Sequence, residues 1–142
     1  NNAGSTISTI YGSEFKNNSV AAINNQGEIS SIRASVFSDN TNVSINNAGT
    51  IHEISGDKFE NNSTTELASV IHNTTGKTID LIENSIFRNN KSVVSDNAVI
   101  YNQGTIKEIN GSTFENNKGY ALRNDATVDL IYNSKFVNTS NF

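Results

Sequence analysis

The chain has 142 residues, with 10 Lys and Arg against 14 Asp and Glu, so its net charge is −4 and it offers no basic stripe for a nucleic-acid partner. Cys, Met, Trp and Pro are all absent, which removes disulfide frameworks and cysteine metal sites from consideration. No apolar run approaches the roughly 18 residues of a membrane-spanning helix, so no transmembrane segment is expected.

From the N-terminus, a first copy of a repeat begins at the turn Asn2-Ala3-Gly4 and continues through Ile7, Ile10 and Phe15. The second copy runs from Ile23 through Asn25, Gly27, Ile29 and Ile32 to Phe37. The third follows from Ile45 through Asn47, Gly49, Ile51 and Ile54 to Phe59. Each follows its predecessor after a short step, Asn18 to Ile23 and Asn40 to Ile45. The step then lengthens, before Ile71 and again before Ile100, which places corner insertions at 63–70 and 91–99. Copy four carries Ile71, Asn73, Gly76, Ile79, Ile82 and Phe87, with one extra residue in its glycine turn. Copy five carries Ile100, Asn102, Gly104, Ile106, Ile109 and Phe114, and copy six Leu122, Asn124, Ala126, Val128, Ile131 and Phe136.

A period of about 22 residues held over six copies is a solenoid signature, because one repeat cannot bury its own apolar row without neighbours above and below. Ile, Val and Phe on an Asn, Ser and Thr background, with no helical periodicity, favour short strands. The pattern predicts an all-β, right-handed parallel β-helix of about six coils of ~22 residues, forming one domain over 1–142. Three strands per coil are expected, for example 105–109, 112–115 and 121–123. Coils stacking at about 4.8 Å make a rod roughly 29 Å long. Phe15, Phe37, Phe59, Phe87, Phe114 and Phe136 form one interior column, and the Ile positions form others. Asn25, Asn47, Asn73, Asn102 and Asn124 form a hydrogen-bonded ladder at one bend. A second ladder runs Asn18, Asn40, Asn62, Asn90 and Asn117, and Thr139 breaks it. The chain opens in mid-repeat and neither end carries a recognisable cap, so a piece of a longer repeat protein is expected.

No catalytic residue, metal site or cofactor is predicted. The outward column Ser8, Ser30, His52, Asp80, Lys107, Asp129 reads as alternating charge on a solvated face, and an acid–base role for Asp80 and Asp129 is its catalytic alternative. The two histidines, His52 and His72, lie in different columns without a carboxylate cluster. Another outward row, Asn24, Asn46, His72, Tyr101, Arg123, sets a ring between an imidazole and a guanidinium. His72, Tyr101 and Arg123 are therefore the candidate ligand-binding residues, able to stack on a sugar or a protein side chain. They neighbour the two insertions, and insertions gathered on one face of a solenoid often mark its binding surface.

The F-x-x-N element, as in Phe15 to Asn18 and Phe114 to Asn117, followed by a small-plus-aliphatic pair such as Ala22-Ile23 or Ala121-Leu122, resembles the repeats of chlamydial polymorphic membrane proteins. More broadly, the chain resembles the β-helical passenger domains of bacterial autotransporter adhesins. The resemblance implies a non-catalytic rod on the bacterial cell surface or in the extracellular space, carried on a longer protein with an outer-membrane anchor. Its implied partners are host-cell or bacterial surface proteins or glycans. Two other readings stand beside it: a filament subunit that self-associates end to end, and a glycan-binding or glycan-cleaving β-helix of the lyase or phage tailspike type.

Overall fold

The structure, a computed structural model, describes residues 1–64, 70–92 and 98–139. The described residues form strands and turns without a helix, arranged as three parallel sheets wound into a parallel β-helix. The first sheet holds six six-residue strands, Thr6–Tyr11, Glu28–Arg33, Thr50–Ser55, Thr78–Glu83, Thr105–Asn110 and Thr127–Tyr132. The second holds six three-residue strands centred on the phenylalanines, from Glu14–Lys16 to Lys135–Val137. The third holds five, Ile23–Asn25, Ile45–Asn47, Ile71–Asn73, Ala98–Asn102 and Tyr120–Asn124.

Register follows from burial. Ile79 pairs with Ile51 on one side and Ile106 on the other, and Ile82 with Ile54 and Ile109. A slip of one residue would expose the whole isoleucine set. The two interior residues of each long strand lie three apart rather than two, and the positions between them hold His52, Glu53, Asp80, Lys107, Glu108 and Asp129 among others. The phenylalanines stack as expected. Ring centroids lie 4.6 to 4.9 Å apart with planes within 7° of parallel, one ring per rung. Phe37, Phe59, Phe87 and Phe114 are completely buried.

Both asparagine ladders form. Asn25 Nδ2 donates to Asn47 Oδ1 at 2.9 Å, and the chain of donations continues through Asn73 and Asn102 to Asn124. The same amides also donate to backbone carbonyls, as Asn25 does to Gly27 and Thr50, so a buried polar group is satisfied at each bend. Asn1 supplies a rung absent from the expected ladder, its Nδ2 lying 2.8 Å from Asn25 Oδ1. Its turn carries the same extra residue as copy four: Asn1 reaches Ser5 O as Asn73 reaches Lys77 O. In these longer turns Gly4 and Gly76 adopt φ of 75° and 71°. In the tight turns the demand on glycine is different, since a Cβ on Gly49 would lie 2.1 Å from Gly27 O.

A third ladder lies between the long strands and the phenylalanine strands. The residue entering that bend has positive φ in every copy: Gly12, Ala34, Gly56, Asn84, Gly111 and Asn133. The next residue is Ser13, Ser35, Asp57, Ser85, Ser112 or Ser134, and its oxygen accepts the N–H of the equivalent residue one coil earlier. Serine is so frequent in this chain that the column is not evident from spacing alone.

The insertions are anchored by backbone pairing at their roots. Ser63–Thr64 and Lys91–Ser92 form a small fourth sheet, pairing Lys91 with Ser63 and Ser92 with Thr64. On the return side, Val70, Ala98 and Val99 are buried, and Ala98 begins a strand. The flanks of the expected insertions at 63–70 and 91–99 therefore belong to the framework, while their central parts, 65–69 and 93–97, lie outside the described residues.

Candidate functional site

In the strand Ile71–Asn73, Ile71 faces the core and Asn73 enters the ladder, which leaves His72 facing outward. The same pattern turns Tyr101 and Arg123 outward, and register places them in one row, His72 beside Tyr101 and Tyr101 beside Arg123. The three sequence-predicted residues thus come together. The His72 and Tyr101 rings stack at 5.1 Å and 5°, and the Arg123 guanidinium sits 4.8 Å from the centre of the Tyr101 ring. Both faces of that ring are therefore covered, which leaves no face for the sugar stacking expected from the row. What the row presents is edges.

Two residues overlooked in the sequence complete the patch. Asp125 accepts from the Tyr101 hydroxyl at 2.8 Å and from Arg123 Nε and Nη2 at 3.2 and 3.1 Å. Gln103 Oε1 lies 3.1 Å from His72 Nε2. Both sit just beyond a ladder asparagine, a position that reads as turn in every copy. Arg123 and Tyr101 hold the Asp125 carboxyl below its ordinary range, while burial and the Asp125 contact hold the Tyr101 hydroxyl above its own. The patch is a polar rim of amide, imidazole, phenol, carboxylate and guanidinium, pre-ordered by its own contacts.

The second outward column also assembles. His52 Nδ1 lies 2.5 Å from Asp80 Oδ2, His52 Nε2 lies 3.3 Å from Glu28 Oε1, and Lys107 Nζ lies 2.8 Å from Asp80 Oδ1. The hydrogen bond to Asp80 raises the His52 pKa against a smaller opposing effect of burial. Burial pushes Asp80 up, but Lys107 and His52 together bring its pKa below the ordinary value. Asp80 is thus held ionised between Lys107 and the His52 imidazole, the opposite of what a general acid requires.

The sign of each effect sets its pH window. The His52 contribution to stability is full below its ordinary pKa of 6.5 and is lost as pH rises through its raised value; the Asp80 contribution is full above 3.8 and is lost as pH falls through its lowered one. Both groups are partly solvated, so the pair contributes under about 1 kcal/mol. In an NMR titration His52 is expected to titrate above 6.5, and Asp80→Asn should move its midpoint down. An unmoved midpoint would break the assigned contact.

An open groove of about 410 Å³ runs along the glycine corner, between Gly27, Gly49 and Gly76 and the outward residues Glu28, Thr50 and Lys77. Among the described residues no group of three or more His, Asp or Glu is placed to hold a metal ion, and no helix is long and apolar enough to cross a membrane. No protein-family model matches this chain, and no curated protein is measurably similar to it.

Proposed function

We propose that this chain is a structural rod and adhesion module of a bacterial extracellular or cell-surface protein, with no catalytic role of its own. The observation that carries the reading is the division of labour between inside and outside. The interior is committed coil after coil to the same phenylalanines, isoleucines and ladder asparagines, whereas the outward columns differ in residue type from one coil to the next. A scaffold that repeats inside and varies outside suits the display of a contact surface along a stiff axis. The contact surface proposed is the row His72, Tyr101 and Arg123 with Asp125, because aromatic and Arg groups pre-ordered by neighbours are the typical anchors of interfaces. The partner class is a protein or glycan on a host or bacterial surface, met through polar edges.

Binding of the labelled chain to host epithelial cells and to a panel of bacterial surface glycans tests this. The double variant Tyr101→Ala, Arg123→Ala is expected to lose about tenfold or more of the binding, as truncation of interface anchors does. Undiminished binding by the variant would remove the patch from the proposal, and absence of binding to every surface would remove adhesion itself. The same glycan panel, checked for chain shortening, tests the glycan-cleaving alternative, which requires turnover abolished by Asp80→Asn or Asp129→Asn.

A further inference from the structure

We propose that Asp57 is a proton-operated switch in the serine ladder: as a neutral acid it closes the ladder the way serine does, and as a carboxylate it opens it, so the coil is tight in acid and loosened towards neutrality.

The argument starts from what the serines do. Each hydroxyl accepts a backbone N–H from the preceding coil and donates its own proton to the carbonyl two residues earlier in its own coil. Ser35 Oγ accepts from Ser13 N at 3.2 Å and donates to Arg33 O at 3.0 Å. Ser85 accepts from Asp57 N and donates to Glu83 O, and Ser112 accepts from Ser85 N and donates to Asn110 O. The position therefore needs a group that is acceptor and donor at once.

Asp57 is the one acid in this column, and it is completely buried. Its Oδ1 performs the accepting half, taking the Ser35 N–H at 2.6 Å. Its Oδ2 is buried without a hydrogen-bond partner. The carbonyl equivalent to those the serines serve is that of Ser55, which receives the Ala34 N–H at 3.1 Å but no serine hydroxyl. A neutral carboxylic acid carries an O–H, as the serines do; a carboxylate instead leaves negative charge, stripped of water, on an oxygen without a hydrogen-bond partner.

The charged groups on the surrounding elements do not rescue the ionised form. Arg33, on the preceding coil, is engaged by Glu53, with Nε 3.0 Å from Oε2. Glu53, on the strand leading into the bend, repels a second negative charge. Lys58, which follows Asp57, is exposed, and Glu83 on the next coil accepts from Ser55 Oγ at 2.8 Å. Burial raises the Asp57 pKa from 3.8 to about 7, outweighing the backbone hydrogen bonds at Ser35 and Ser55. Because the folded value lies above the unfolded one, the stabilisation is full below about pH 4, falls as pH rises to about 7, and is absent beyond.

Unfolding by urea at pH 4.5 and 7.5, for the unaltered chain and Asp57→Ser, both in a His52→Gln background that removes the raised His52 pKa from the comparison, tests the switch. The Asp57 chain is expected to show an unfolding constant rising by on the order of 100-fold between the two pH values, and Asp57→Ser to lack that rise and to be the more stable protein at pH 7.5. An equal rise in both would overturn the proposal. The infrared band of a neutral carboxyl, followed in the unaltered chain, needs no variant: it is expected to persist at pH 6 and vanish near 8, and its loss by pH 5 would equally overturn it.

Discussion

Phe87→Ala is expected to lower the stability of the rod by about 3–5 kcal/mol, measured as the shift in urea unfolding at constant slope. Phe87 is completely buried, with Phe59 at 4.7 Å on one face and Phe114 at 4.6 Å on the other. The cavity left by truncation has little means of closing. Coil spacing is fixed by backbone pairing, with Phe87 in register between Phe59 and Phe114, so the neighbouring rings cannot slide together without breaking that pairing. Phe15→Ala should cost less, because Phe15 is only partly buried and has one stacked neighbour among the described residues. Equal losses at the two sites would show that the column does not set stability rung by rung.

Asn62→Ala should be of similar size, again about 3–5 kcal/mol, although it removes far less apolar surface. Asn62 Oδ1 accepts both the backbone N–H and the Nδ2 of Asn40, each at 3.0 Å, and its own Nδ2 donates to Asn90 Oδ1 and Phe37 O. Alanine leaves the Asn40 backbone N–H and one of its two amide protons unpaired, the other still reaching Phe15 O, and takes the Asn62 donor away from Phe37 O; each unmet group costs about 1–3 kcal/mol. Asn62→Asp keeps the acceptor and loses the donors, so its deficit should shrink in acid, where the carboxyl regains a proton. A cost below about 1 kcal/mol for Asn62→Ala would mean that water replaces the amide and the bend is not closed.

The interior was legible because the same residue type recurs at one position per copy, and a column of identical Phe or Asn side chains needs little more than register to be drawn. Asn1 escaped because its turn is one residue longer, which displaces it from the spacing of Asn25. The serine column escaped because Ser is common throughout the chain, and an aspartate within it reads as one more solvated acid. At the surface, spacing was enough to group His72, Tyr101 and Arg123, but not to say which part of each ring is free. That depends on side chains of adjacent coils sharing one direction, which stacks rings face to face and turns their edges outward. The pairing of Ser63–Thr64 with Lys91–Ser92 had no apolar pattern to announce it, because backbone bonds alone make it.

The amide ladders also give the rod a sense of direction. In both of them every Asn donates its Nδ2 proton to the Asn of the following coil, never the preceding one: Asn18 to Asn40 to Asn62 to Asn90 to Asn117, and Asn25 to Asn47 to Asn73 to Asn102 to Asn124. Aligned amide dipoles reinforce one another, so the two ladders act like a pair of wires polarised alike, donor-rich towards the C-terminal coil and acceptor-rich towards the N-terminal one. A coil added on the N-terminal side could continue both ladders only head to tail, whereas at the other end Thr139 stops the second one. Two rods set head to head would bring like ends of the ladders together, donor against donor or acceptor against acceptor.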